Sequence, residues 1–309
     1  MPWGLQRRTD LQRIHANAAA VKQRTGRFVY AVVKADGYGC GAQAVARAVA
    51  DAVDGYYVFD LSESVKAELH KLGKPVIAVD HPWRGYTADD YLAAHVRPIV
   101  HSAERAEALL RCGPVLSVDT GMHRLAATAL ETSRVLERGW VREAMTHAVR
   151  HEQVRELVER CGGRGLMLHA AATALLDDPD SWLDAVRPGL ALYRGAVRVS
   201  ARVIEARTLP QGEPAGYGRF IAGKDGPARL GVILGGYAQG VKPGVCLIRG
   251  QRRRVWESGM QSSFVELHGD EDVGEEVVLL GDGLTEAEVA SAWGCSEQEV
   301  LVRLGTSGR

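Results

Sequence analysis

Residues 28–41 read "FVYAVVKADGYGCG". Six apolar residues run without polar alternation into Lys34, and a glycine-rich segment carrying Tyr38 follows. A short continuous apolar run of this kind predicts a strand covered on both faces, as in a parallel sheet. The same texture repeats on either side. The helical pattern "DLQRIHANAAAVKQRTG" leads into this run, "AQAVARAVADAV" leads to "GYYVFDL", and "SESVKAELHKLG" leads to "PVIAVD". Further short runs at "RPIV", "VLSVD", "EAMTHAV", "GLMLHAA" and "GLALY" bring the strands to about eight, the number that closes a parallel barrel. The expected fold is therefore α/β: a parallel (β/α)8 TIM-type barrel over residues 1–195. After Tyr193 the runs become short, alternating and cut by Gly and Pro, which predicts a smaller, mostly antiparallel β domain over residues 196–309. Near its end "LTEAEVASAWG" and "SEQEVLVRL" read as helices, with Thr285 as N-cap and Gly294 as terminator.

Composition narrows the function classes. The 309 residues are 46% hydrophobic and 25% charged, with 38 Lys and Arg against 38 Asp and Glu. No net field is available to hold a polyanion, so nucleic acid is not an expected partner, and "RGQRRR" at 249–254 reads as a charged surface hairpin. No apolar run approaches the roughly 20 residues of a membrane helix, and "MPWGLQRRTD" carries no hydrophobic signal core. The expected location is the cytoplasm, where the five dispersed cysteines stay reduced. Cys40 reads as a small space-filler beside glycines.

In a parallel barrel the functional face carries the strand C-termini, so polar residues directly after apolar runs are the candidates. Lys34 follows "VYAVV", Asp119 follows "VLSV", His147 follows "EAMT", His169 follows "GLML", and Arg187 stands just before "PGLALY". A lysine pressed into an apolar mouth has its charged form disfavoured, and the free amine becomes a nucleophile or base able to form a Schiff base. The cofactor suited to that chemistry is pyridoxal phosphate, with Tyr38, Thr173 and the amides around Gly189 and Leu190 as donors for its phosphate. The competing reading is a lysine that snorkels out to a carboxylate such as Asp36.

Taken together, these segments resemble the alanine racemases, pyridoxal-phosphate enzymes of fold type III. "AVVKADGYGCG" looks like the family's cofactor-lysine segment VVKADAYGHG, "VDTGMHRLA" at 118–126 like VDTGMxRxG, and "AVRPGLALYRG" at 185–195 like VRPGIALYG. "AGYGRF" at 215–220 and "LGGYAQG" at 234–240 resemble VGYG and IGYADG, and the order of the segments is kept. The resemblance implies a homodimer whose sites lie between one subunit's barrel and the β domain of the other. Lys34 would bind the cofactor and act as base on one face of the amino acid's Cα, and Tyr217 of the second subunit would act on the opposite face. Arg187 would meet the pyridine nitrogen, with His147 holding the arginine. Arg124 and Met260 would take the substrate carboxylate, and Tyr237 would stand near the pocket mouth. A pyridoxal-phosphate decarboxylase and a non-catalytic relative are the alternatives. The first would favour a protonated ring nitrogen, and the second gives no reason to keep both Lys34 and Tyr217.

Several positions depart from the family pattern. Ser117 stands where a lysine often steadies the arginine, and Ala172 and Thr173 replace the Asn and Ser of AANSA. Arg150 and His151 fall where small residues are usual, and Gln239 and Gln261 replace aspartates. The last residues, "RLGTSGR", lack the RxPRxY tail. These changes leave Lys34, Tyr217 and Arg187 in place, so the expected activity is racemisation of alanine or a related amino acid.

Overall fold

The computed structural model describes residues 3–217, 220, 221, 223 and 228–306; the side chains of 82, 220 and 306 are not considered. Residues 218 and 219 of the Tyr217 segment, and 307–309, lie outside them. Two compact units emerge: Leu11–Gly37 with Gly41–Tyr193, and the residues up to Asp10 with Tyr38–Cys40 and those from Arg194 onward. The N-terminal strand β1 (Gln6–Thr9), counted with the barrel from sequence, belongs to the second unit. It pairs antiparallel with Val197–Ser200, and strand pairing outweighs chain order.

In the first unit eight parallel strands close into a barrel: β2 (Phe28–Val32), β3 (Gly55–Val58), β4 (Val76–Val79), β5 (Val96–Val100), β6 (Val115–Ser117), β7 (Glu143–Ala148), β8 (Met167–Ala171) and β9 (Ala185–Val186). Tyr30, Ile77, Val79, Ile99, Val115, Met145 and Ala185 fill the centre. Helix Leu11–Thr25 buries Ile14, Ala18, Val21 and Thr25, whose spacing of three and four residues makes one face. Helix starts after the strands are marked by side-chain caps. Asp60 accepts from Ser62 N–H, Ser102 from Arg105 N–H and Thr128 from Glu131 N–H.

The eighth strand needs correction. "GLALY" is not a strand but the helical turn Leu190–Tyr193, and the barrel closes through Ala185–Val186. A five-residue apolar run cannot by itself separate a buried strand from a buried helical turn. The shift has a consequence for the site: Arg187 follows its strand, as the other candidates do.

The second unit is an antiparallel sheet built on β10 (Val197–Leu209), with the small hairpin β11 (Pro214–Ala215) and β12 (Phe220–Ile221) beside it. The sheet continues with β13 (Ala228–Leu234), β14 (Gly244–Ile248), β15 (Gln251–Ser258), β16 (Ser262–Leu267) and β17 (Glu276–Leu280). Its order is β1-β10-β13-β16-β15-β14-β17, and β17 pairs back onto β10. Closure leaves few unpaired edges. The arginines around the β14–β15 turn are matched by carboxylates, Arg249 with Asp270 and Glu275, Arg252 with Glu288 and Arg253 with Glu271, as a surface hairpin would be. Helix Glu286–Trp293 is capped by Thr285 and ends at left-handed Gly294.

Candidate active site

The chain leaves β2 through a turn of unusual backbone. Ala35, Asp36, Gly37 and Tyr38 all have positive φ, between 53° and 62°. Left-handed conformation costs a residue with a Cβ roughly 1–2 kcal/mol, so three such residues within four positions need strong fixing. Glu63 Oε1 accepts from Ala35 N–H at 2.8 Å, Val33 O from Gly37 N–H at 2.9 Å, and Asp36 Oδ1 from Ala42 N–H at 2.9 Å. Asp36 therefore organises the turn, while the carboxylate whose charge acts on Lys34 is that of Glu63.

Lys34 Nζ lies 5.9 Å from the centre of the Phe59 ring. Burial pushes its pKa below the ordinary lysine value, and the positive charges of Arg124 and Arg187 push the same way against Glu63. His147, in the same mouth, is lowered to about 4, first by desolvation and then by Arg187, Lys34 and Arg124. The ring is neutral at pH 7, first because burial disfavours its charged form and then because the neighbouring basic groups oppose a further positive charge. Such a concentration of positive charge suits an anionic ligand.

Arg187 is buried directly after β9. Its two terminal nitrogens donate to His169 Nδ1 and to the carbonyls of His169, Thr146 and Ala170, two of them at 3.0 and 3.3 Å. Here the expectation is corrected: the arginine is held by His169, not His147. His169 sits on β8 beside β9, and the strand register pairs it with Ala185, two residues before Arg187. Nε of Arg187 bonds to no protein group among the described residues, which leaves one N–H for a ligand.

Near the same strand ends, Thr173 Oγ1 accepts from Gly189 N–H at 3.3 Å and Ala191 N–H at 3.1 Å. Arg124 is reached through a loop wrapped on Asp119, whose Oδ1 accepts from Gly121 and His123 N–H at 3.0 and 2.9 Å. Asp119 is thereby a loop organiser. Arg124 is exposed and, with Ser117 in place of a lysine, its one hydrogen-bond contact among the described residues is to Met122 Sδ at 3.7 Å. His151 is tied to Asp178 Oδ2 at 2.9 Å.

The remaining candidates gather in the second unit. Tyr237 N–H donates to Gly259 O at 2.8 Å, Ala238 N–H to Met260 O at 3.0 Å, and Tyr217 N–H to Glu257 Oε1 at 3.1 Å. Gly236 makes this contact possible: a Cβ there would stand 2.2 Å from Gly259 O and 2.5 Å from the Met260 carbonyl. Gln239, in the place of an aspartate, accepts from Gly236 N–H at 3.0 Å and so still closes the turn. Tyr217, Tyr237 and Met260 are 80%, 56% and 57% exposed. Tyr38 is buried and groups with this unit.

Residues 9–197 match the family model of the alanine racemase N-terminal domain, and 196–308 that of the alanine racemase C-terminal domain. The chain belongs to the alanine racemase family. It is 30% identical to the alanine racemase of Aeromonas hydrophila over 93% of each protein. The biosynthetic alanine racemase of Pseudomonas aeruginosa superposes with a TM-score of 0.84 at 27% identity, covering 98% of this chain and 97% of that one. The alanine racemase of Bartonella henselae, solved with covalently bound pyridoxal phosphate, shares the fold, with a TM-score of 0.86 at 21% identity over 98% of each.

Alanine racemases are pyridoxal-phosphate enzymes, and the residues of this family member fit the cofactor. A lysine with a depressed pKa, an arginine with one N–H to spare and a threonine bridging two backbone amides are the donor types that its aldehyde, ring nitrogen and phosphate require. Sequence reasoning marked His169 as a strand-end residue without giving it a role, and it missed Glu143, Arg97 and Tyr30 beneath it. The available signal was Glu143 opening the apolar run "EAMTHAV", where a lone acid inside a covered strand needs a partner. No helix among the described residues is long and apolar enough to cross a membrane.

Proposed function

We propose that this racemase interconverts L- and D-alanine with two bases on opposite faces of Cα, Lys34 from one subunit and Tyr217 from a second copy, and that it works in the cytoplasm. The observation that carries the reading is the amine of Lys34, held below its ordinary pKa by burial and by two guanidinium groups. A lowered pKa makes the ammonium easier to deprotonate, and the free amine is the form that accepts a proton. When bound, pyridoxal phosphate supplies the electron-withdrawing ring that acidifies the α-proton. Arg187 would hold the ring nitrogen: its guanidinium keeps its own proton, so it would leave that nitrogen unprotonated. That moderates the electron withdrawal and favours return of the proton to Cα over side reactions.

Arg124, exposed and without a carboxylate partner among the described residues, orients the substrate carboxylate, with Met260 and Tyr237 as the second wall. Neutral His147 keeps the mouth from gathering a further charge. Thr173, Gly189, Leu190 and Tyr38 would hold the phosphate. Inversion requires that the second base deliver a proton from the face opposite to Lys34. The exposure of Tyr217, Tyr237 and Met260 on a single face supports a dimer in which that face meets another subunit's barrel.

The decisive experiment is incubation with L-alanine in heavy water, followed by NMR and chiral chromatography. Exchange of the α-proton with formation of D-alanine is expected. Loss of the carboxylate, or no exchange by protein that carries pyridoxal phosphate, refutes the proposal. Borohydride treatment should label Lys34, and an unlabelled Lys34 in cofactor-loaded protein would remove it from its role.

A further inference from the structure

A column of polar side chains runs along the barrel interior from the strand starts to the mouth. At the lower end Arg97, the second residue of β5, donates from Nε to Gly113 O at 2.9 Å and from a terminal nitrogen to Glu143 Oε2. Glu143, the first residue of β7, is buried; its Oε1 accepts from Tyr30 O–H at 3.0 Å and lies 2.9 Å from His169 Nε2, close enough for its charge to attract the ring proton though out of line for a hydrogen bond. His169, fully buried, turns Nδ1 toward Arg187. The order is thus Arg97, Glu143, His169, Arg187, with Tyr30 alongside.

Protons can be assigned along this column without seeing them. A guanidinium has donors only, so His169 Nδ1, facing Arg187, must be the acceptor. The single imidazole proton then sits on Nε2, in front of the carboxylate of Glu143. A ring protonated on Nδ1 would turn one donor against another.

We infer that Glu143 is a positioning residue for the racemase reaction. It holds the His169 proton on Nε2, which keeps Nδ1 bare and so fixes the guanidinium of Arg187 for its ligand. Arg97, whose side chain is 29% exposed, supplies the countercharge that lets the carboxylate remain ionised in the barrel interior. Burial lowers His169 to about 4, and Glu143, hydrogen-bonded and paired, to about 2, which agrees with a neutral ring beside an anion. The bearing on the cofactor rests on the proposed function; the position of the proton does not.

The test uses the full chain labelled with 15N-histidine, both loaded with pyridoxal phosphate and stripped of it. Long-range 1H–15N spectra at neutral pH report which ring nitrogen carries the proton, with His169 assigned by its absence in His169→Gln. The native protein is expected to show an Nε2–H ring with and without cofactor. Glu143→Gln, which keeps the shape and removes the charge, is expected to give a mixed or inverted tautomer and to weaken pyridoxal phosphate binding by roughly 10–100-fold. Tyr30→Phe removes a partner of Glu143 without removing the charge, and is expected to keep the native tautomer.

A native ring protonated on Nδ1 overturns the inference even if Glu143→Gln fails to fold. So does a Glu143→Gln ring that stays wholly Nε2–H, or a Tyr30→Phe protein that changes as Glu143→Gln does. An altered tautomer with unchanged pyridoxal phosphate affinity overturns the positioning role and leaves the racemase reading standing. Failure of the unaltered protein to bind pyridoxal phosphate would instead sink the racemase reading, while the spectra of the stripped protein still decide where the proton sits.

Discussion

The two clusters of candidate residues differ in how completely one chain builds them. Around Lys34 the barrel unit assembles buried and charged groups in close contact: Arg187 held at both terminal nitrogens, His169 between Arg187 and Glu143, and a strained turn fixed by Glu63 and Asp36. Around Tyr217 the second unit presents exposed side chains whose backbone is anchored but whose tips meet solvent. A single chain can thus lower the pKa of Lys34, the first proposed base, by burial, yet it leaves Tyr217, the second proposed base, exposed. Desolvation, the largest influence on Lys34, is something only a covered site can supply.

Mixing two crippled proteins probes this contrast most strongly. Lys34→Ala and Tyr217→Phe are each expected to reduce racemisation by at least about 100-fold, the usual reach of a single acid–base group. Mixed dimers should recover roughly a quarter of native activity, because half the dimers are hybrid and one of their two sites keeps both bases. No recovery after subunit exchange would mean that both bases come from one chain, and the comparison between a complete and an incomplete half would collapse.

A second variant should injure only the exposed half. Gly236→Ala places a methyl against Gly259 O and the Met260 carbonyl, backbone atoms that cannot swing aside. The expected cost is roughly 1–3 kcal/mol from overpacking, with a raised KM as Tyr237 and Met260 are displaced. Pyridoxal phosphate binding and borohydride labelling of Lys34 should be unchanged. Loss of labelling would show that the halves are not separable.

Acid should act on the buried half. His169, lowered from 6.5 to about 4, binds its proton more readily in the unfolded chain. Stability is therefore expected to fall as pH drops from 6.5 to about 4, with a slope of up to about 1.4 kcal/mol per pH unit from this ring. Glu143, lowered to about 2, contributes stability above its ordinary value of 4.5 and gives it up as pH falls toward 2. Urea denaturation at a series of pH values checks both windows. His169→Gln should reduce the slope in the first, which His147, also lowered to about 4, shares, and an unaltered slope in that variant would remove His169 as a source.

Much of this was legible in the linear chain, and what was missed has identifiable causes. Uninterrupted apolar runs announced the barrel because strands covered on both faces have no polar period to hide. The same absence of period made "GLALY" ambiguous, and it proved helical. Lys34 and Arg187 stood out as charges beside apolar runs. The partner of Arg187 did not: His147 and His169 both occupy strand ends, and only the register of β8 against β9 puts His169 beside the arginine. The substitution at Gln239 looked like a loss in sequence, yet its side chain still accepts from Gly236 N–H. Nothing in the structure explains why Arg150 stands where a small residue is usual.

The sequence by itself determined the class of fold, the order of the segments and the chemistry available at each strand end, since burial periodicity and side-chain type are local properties. The tertiary structure decided which groups face one another. It set His169 on Arg187, Glu143 under His169, and Tyr237 on the Gly259–Met260 backbone. Those contacts join residues far apart in the chain, and a pKa, a tautomer or a guanidinium's aim depends on the neighbours that folding brings, not on the residue type that the sequence names.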